Sequence, residues 1–253
     1  MAELHIFNPE HDIALAANLS NFTSPHAGRQ LRADIGFLPA IWAKDGDVVL
    51  VDNVENAQRN FARVMHSQFE GFVDKHQLAK LNIDRVSPWG WDLALRSFLL
   101  RYGVEAVPSE EEIGIIRDLS HRKHAVELLR SLDFEGTIGD AWRADLLVEV
   151  RQALSDFGKI VVKAPWSSSG RGIRFIDNEM NDYQQRWIRN VIANQGSVVI
   201  EKYCNKVKDF GMEFESDGKG QVRYLGLSLF NTQNGAYTGN ILSSEDETEE
   251  MIP

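Results

Sequence analysis

Apolar residues in the first half of the chain come in short β-branched runs separated by stretches with helical spacing. Residues 4–7 (Leu-His-Ile-Phe) and 48–51 (Val-Val-Leu-Val) read as strands. After the first of these, Asn8-Pro9 supplies a candidate N-cap and a first-turn proline for a helix through Ala17. Leu95, Phe98, Leu99 and Tyr102 fall at i, i+3, i+4 and i+7, which predicts a helix over 92–102 that Gly103 ends. Ser109 followed by Glu112 predicts a capping box opening the next helix. Strand alternating with helix implies a parallel sheet covered on both faces.

Two further helices are expected between residues 120 and 160. Their stripes are Ala125, Leu128, Leu129 and Leu132, then Leu146, Val150, Ala153, Leu154 and Phe157. The character then changes. Strands are expected at 159–164 and 173–176 around a Ser/Gly loop, followed by a helix over 179–193 carrying Trp187, Ile188, Val191 and Ile192. Strands at 197–203, 210–215 and 221–230 follow. The last two are joined by Ser216-Asp217-Gly218-Lys219-Gly220, where glycine suits a hairpin turn with positive φ. A domain boundary is expected near residue 115, giving 1–115 and 116–253.

Composition narrows the partners. Of 253 residues, 43% are hydrophobic and 25% charged, enough to bury a sizeable core. The 37 acidic against 27 basic residues give a net charge of −10, which opposes non-specific binding to nucleic acid or an anionic membrane. Cys204 is the one cysteine, which excludes an intrachain disulfide and a zinc site built from several cysteines. The first twenty residues carry Glu3, Glu10, His11 and Asp12 and read as no signal peptide. No run approaches the roughly 20 apolar residues of a membrane span. A cytoplasmic setting is the expectation.

The stretch richest in chemistry is Lys159-Ile-Val-Val-Lys163-Ala-Pro-Trp-Ser167-Ser168-Ser169-Gly170-Arg171-Gly172-Ile-Arg174. A buried strand ends in a lysine, and small residues then let backbone N–H groups approach phosphate oxygens. Ser hydroxyls add donors; Lys163, Arg171 and Arg174 add positive charge. The Walker pattern fails for want of Gly-Lys-Ser/Thr. The dinucleotide fingerprint fails because Phe175 stands where its third glycine belongs and a strand, not a helix, follows. Strand–loop–strand therefore suggests a flap over phosphates. A plain surface hairpin is the alternative for this segment taken alone. Further on, Ser197-Val-Val-Ile200-Glu201-Lys202-Tyr203-Cys204 is an apolar strand ending in an acid.

With both segments in order, the sequence from about Ser120 to Phe230 resembles the ATP-grasp superfamily. The resemblance implies a Rossmann-like N-terminal domain followed by a partial α+β ATP-grasp domain, an α/β protein overall. It implies that Lys163 touches the α/β-phosphates and that the Ser167–Gly172 flap covers them. Glu201 accepts from the adenine amino group, with Lys202 and Cys204 completing the hinge and Tyr203 packing between. Asp209 is the nearest candidate for the ribose acid, and Arg122 or Lys123 for the basic residue reaching the phosphates. The implied activity activates a carboxylate as an acyl phosphate for attack by an amine or thiol. The implied partners are small molecules, with ATP and Mg²⁺ as cofactors. No metal ligands of the expected Glu-x-Asn type follow Phe230, where Asn231, Asn234 and Asn240 precede an acidic tail. A fragment of a longer protein is the expectation, and a non-catalytic nucleotide-binding module the alternative.

Phe7-Asn8-Pro9-Glu10-His11-Asp12 sits where a strand meets a helix. Asn8, His11 and Asp12 are candidate substrate contacts; capping by Asn8 and solvation of His11 is the favoured reading. Trp89 and Trp91 would wall a pocket or pack in the core, with Asp92 as an N-cap. His121 and His124 have zinc-compatible spacing but no further ligands nearby in sequence. His26, Arg29 and Arg32 would form a basic, solvated helix face.

Overall fold

The computed structural model describes residues 2–132, 140–167, 170–233 and 236–241. The chain divides into two compact units, Met1–Leu128 and Leu129–Pro253. The boundary expected near residue 115 falls inside the helix Glu110–Leu119.

In the first unit, β1 (Ala2–Ile6), β2 (Val48–Leu50), β3 (Phe72–Val73) and β4 (Ile83–Pro88) form one parallel sheet in the order β3-β2-β1-β4. Helices α1 (His11–Ala17), α2 (His26–Ile35), α3 (Val54–Met65), α4 (Leu93–Arg101) and α5 (Glu110–Leu119) intervene or follow. Successive side chains on a strand point to opposite faces. Leu4 and Ile6 join Leu99 of α4 and Val104 in one cluster, against which Val48 and Leu50 also pack. Val49 and Val51 instead enter a second cluster with Phe37, Ala57, Phe61 and Phe72. Neighbouring residues of one strand thus feed two cores, which makes the unit three-layered, as the strand–helix alternation predicts.

The caps explain where helices begin. Asp92 accepts from the Leu95 N–H at 2.9 Å, and Ser109 with Glu112 forms the predicted capping box. The N-cap expectation for Asn8 is corrected. Helix α1 opens after Glu10, which makes no side-chain cap. The Asn8 amide is buried and turned the other way, donating to the Gly90 carbonyl at 2.8 Å and accepting from the Gly90 N–H at 3.3 Å.

Helix α6 (Lys123–Ser131) spans the division between the units. Its expected stripe is not what it buries: Val126 is buried, whereas Leu128, Leu129 and Leu132 are exposed. The second unit contains β5 (Ala141–Ala144), α7 (Leu147–Phe157), β6 (Lys159–Lys163), β7 (Ile173–Asp177), α8 (Asp182–Gln195) and β8 (Val198–Lys202). The four strands make an antiparallel sheet in the order β5-β8-β6-β7. Ile160, Val162, Val198, Ile200 and Ile176 pack one face against Val150 and Leu154 of α7 and Ile188 and Val191 of α8. β9 (Asp209–Ser216), β10 (Val222–Gln233) and β11 (Ala236–Ile241) form a second antiparallel sheet. The expected turn is present: Gly218 and Gly220 have φ of 69° and 94°, and Asp217 Oδ1 accepts from the Lys219 and Gln221 N–H groups. Among the described residues, no helix is long and apolar enough to cross a membrane.

Leu99 is fully buried at the centre of the first cluster. Leu99→Ala should cost about 2–5 kcal/mol of unfolding free energy in chemical denaturation, through lost burial and the cavity left behind. A loss below about 1 kcal/mol would mean that the cluster collapses around the gap.

Candidate functional site

Lys163 ends β6 and Glu201 lies near the end of β8, and the strand register brings them together. Lys163 pairs with Val199 and Val161 pairs with Glu201, so the lysine and the acid are diagonal neighbours on one face. The Lys163 Nζ donates to Glu201 Oε2 at 2.5 Å. This face is opposite the one packed on α7 and α8, because Ile160, Val162 and Ile200 take the helix side. The side chains are 21% and 33% exposed, so the pair is partly screened and holds together by no more than about 1 kcal/mol. Such a contact is cheap to exchange for another.

The residues around Glu201 alternate between the two faces of the sheet. Tyr203 follows on the same face, where its ring lies 6.2 Å from Phe175 and under the Lys159 ammonium at 4.2 Å. Its N–H donates to the Lys159 carbonyl, extending the β6–β8 pairing past Lys202. Lys202 points the other way, stacking on Phe157 and Trp142 and pairing with Asp140. Its side chain is thus committed to the helix face, leaving its backbone beside Glu201. Cys204 is exposed and free. Lys159 and Phe175 were not singled out from the sequence, yet the period-two alternation through Lys159, Val161 and Lys163 carries that information.

The loop between β6 and β7 is a hairpin connection, with Lys163 opposite Ile173 and the Ala164 N–H bonded to the Gly172 carbonyl at 2.8 Å. Gly172 has to be small there: a Cβ would lie 2.2 Å from the Ser167 side chain. Ser167 Oγ donates to the Ala164 carbonyl at 3.3 Å. Trp166 is buried, and its N–H donates to Gln195 at the end of α8, anchoring the loop's entry. Gly170 has φ of 72°, and Arg171 beside it is exposed. Ser168 and Ser169 lie outside the described residues. Arg174 lies on the helix face, away from Lys163: its guanidinium stacks on Trp187 of α8 at 4.5 Å and donates to Tyr183 Oη.

Asp209 opens β9 and is tied down. Its Oδ2 accepts from Lys206 Nζ at 2.6 Å and from Thr232 Oγ1 at 2.5 Å. Desolvation pushes its carboxyl upward, but the hydrogen bonds from Lys206 and Thr232 and the Lys206 charge outweigh it, and the group titrates below its ordinary range. Arg122 and Lys123 lie in the first unit at the start of α6, where Lys123 pairs with Asp118 at 2.5 Å. The histidines beside them have ordinary duties. His121 Nδ1 accepts the Lys123 N–H, and His124 contacts Asp118 and Glu127.

Of the N-terminal candidates, Asn8 staples the end of β1 to Gly90, and the His11 ring packs so closely on Gly90 that a Cβ there would sit 2.3 Å away. His11 Nδ1 is 3.8 Å from Asp92 Oδ2. Asp12 lies in the first turn of α1. Trp89 is exposed and meets Phe7 edge-on, while Trp91 packs against the first cluster.

A Mg²⁺ site beside Lys163 would need converging carboxylates. Among the described residues, the cluster of ligand atoms close enough to hold a cation is Glu3, His5 and Asp47, in the first unit. There Asp47 already accepts from the Lys44 and Glu3 N–H groups and contacts His5. The described residues near Lys163 do not fit a magnesium site.

No protein-family model matches the chain, and no curated protein matches it in sequence. Among solved structures, it is similar to N5-carboxyaminoimidazole synthetase from Staphylococcus aureus complexed with ADP, with TM-score 0.54 and 16% identity over 99% of this chain and 60% of that one. A second structure of that synthetase gives TM-score 0.52 at the same identity and coverage. D-alanyl-alanine synthetase A from Vibrio cholerae is a weaker likeness, with TM-score 0.46 and 15% identity over 99% of this chain and 78% of that one. The fold is a partial ATP-grasp fold. The chain spans about 60% of the length of the staphylococcal synthetase. Within this chain, β6 and β7 flank the hairpin loop and β8 carries Glu201.

The depressed Asp209 titration has a consequence for stability. A group whose folded value lies below its unfolded value contributes stability above the unfolded value and loses it as pH falls through the folded one. Asp209→Asn should therefore lower stability at neutral pH, and its deficit should shrink as pH falls from about 5 toward 2. Urea unfolding of both proteins across that range checks this, and a deficit independent of pH would contradict it.

Proposed function

We propose that this chain binds ATP on the open face of the β5-β8-β6-β7 sheet. The observation that carries the reading is the Lys163–Glu201 contact, which joins the lysine before the hairpin loop to the acid of the hinge strand. In this reading the ammonium leaves Glu201 for the α/β-phosphates, and the released carboxylate accepts the adenine amino group. Ser167, Gly170, Arg171 and Gly172 lie over the phosphates. The backbone from Lys202 to Cys204 completes adenine recognition, with Tyr203 as a flanking ring. Asp209 takes the ribose hydroxyls by exchanging its Lys206 and Thr232 bonds.

The activity that accords with this fold is ligation of a small-molecule carboxylate to an amine or thiol. The carboxylate oxygen takes the γ-phosphoryl group and ADP leaves. The amine or thiol then bonds to the acyl carbon, and phosphate leaves with the electron pair of the broken C–O bond. What the chain's own residues contribute is binding and orientation: Lys163 fixes the nucleotide and the hairpin loop keeps water from the phosphates.

Thermal and chemical stability with and without ATP tests the binding. At 100 times its Kd the nucleotide should add about 2.7 kcal/mol. Lys163→Ala and Glu201→Ala should each weaken ATP by about tenfold or more while leaving the unliganded fold nearly unchanged. ATP-dependent stabilisation that survives both substitutions, or an adenine found away from Glu201 in a complex with a non-hydrolysable analogue, would overturn the placement.

A further inference from the structure

The first unit contains a cavity of about 470 Å³ at the carboxyl ends of β1 and β2. That volume is in the range of small-molecule sites, and the carboxyl edge of a parallel sheet is where such sites form. Part of its wall is apolar, with Phe22, Leu95 and Phe98 among the lining residues. Its charged groups are arranged unevenly. Glu10 lines it and is 7% exposed. Glu10 Oε1 accepts from Ser24 Oγ at 2.8 Å and from Arg32 at 2.7 Å, whereas Oε2 is buried with no partner. A buried carboxylate oxygen left unpaired is expensive and asks for a donor.

The charge balance says which donor. Arg32 is shared, because it also reaches Asp52 at 3.4 Å. Two carboxylates against one guanidinium leave this corner with one excess negative charge. A cationic nitrogen neutralises that corner, which an uncharged donor does not. Toward solvent the sign reverses. Arg29 and Lys75 line the same cavity, are exposed, and have no carboxylate partner among the described residues. Arg29 donates to the Ser24 carbonyl, and Lys75 lies 5.9 Å from the Tyr102 ring.

We infer that this cavity is a binding site for a free amino acid, its ammonium toward the Glu10–Asp52 corner, its carboxylate toward Arg29 and Lys75, and an apolar side chain against Phe22, Leu95 and Phe98. The site stands on the first unit alone and does not depend on nucleotide binding. The probes are the twenty standard amino acids, screened by thermal shift without ATP and followed by calorimetry on any hit. The best hit is then compared with its own des-amino and decarboxylated analogues. Saturable binding that needs both charged ends is expected. Arg29→Ala and Lys75→Ala, at exposed positions that leave the fold intact, should each weaken it by roughly tenfold. Glu10→Gln should abolish discrimination between the amino acid and its des-amino analogue. Absence of binding by any of the twenty, or binding unchanged in Arg29→Ala and Lys75→Ala, overturns the assignment. Amino-acid binding without an ATP response, or the reverse, separates this site from the nucleotide reading.

Discussion

The antiparallel register between Lys159–Lys163 and Val198–Lys202 is the constraint on which the second unit rests. Pairing Val161 with Glu201 sends Ile160, Val162, Val198 and Ile200 to the helices and Lys163 and Glu201 to the other face. One alternation therefore does two jobs: it fills the core with β-branched side chains and sets a lysine beside an acid from a strand far away in sequence. The apolar partners fix the register strongly, since their burial would be lost by any slip, whereas the half-exposed ion pair contributes little to holding it. The site is positioned by the core and not by its own attraction.

The first unit reaches a similar end by different means. Its parallel strands are buried on both faces, so alternate residues of Val48–Leu50 and the following Val51 serve two clusters. The strand ends then become polar abruptly. Asn8, Glu10 and Asp92 are all buried there, and each is occupied by backbone or side-chain partners, with Glu10 Oε2 as the exception. Buried polar groups are ordinarily satisfied, so the exception draws attention to the space beside it.

Local signals were readable where the chemistry is local. The Ser109–Glu112 box, the Asp92 cap and the Gly218–Gly220 turn involve residues within a few positions of one another, and all formed as expected. The 159–163 and 198–202 strands were legible because β-branched runs have few other uses. What escaped depends on distant partners. Asn8 reads as a cap until Gly90 claims its amide, and nothing local announces that Arg174 stacks on Trp187 of a following helix. The short strands Phe72–Val73 and Ala141–Ala144 carry too few residues to show a period. The stripe of Leu128, Leu129 and Leu132 has helical spacing, yet spacing does not say which side is covered.

Lys202 and Glu201 occupy adjacent positions with opposite duties, one stacked on Phe157 and Trp142, the other meeting Lys163. That arrangement makes β8 intolerant of any change in length. Inserting or deleting one residue before Glu201 would turn two ammonium groups toward each other across the sheet and drive a carboxylate into an aromatic layer. A substitution leaves this alternation of facing intact, whereas a change of length is tolerable only in the connecting loops.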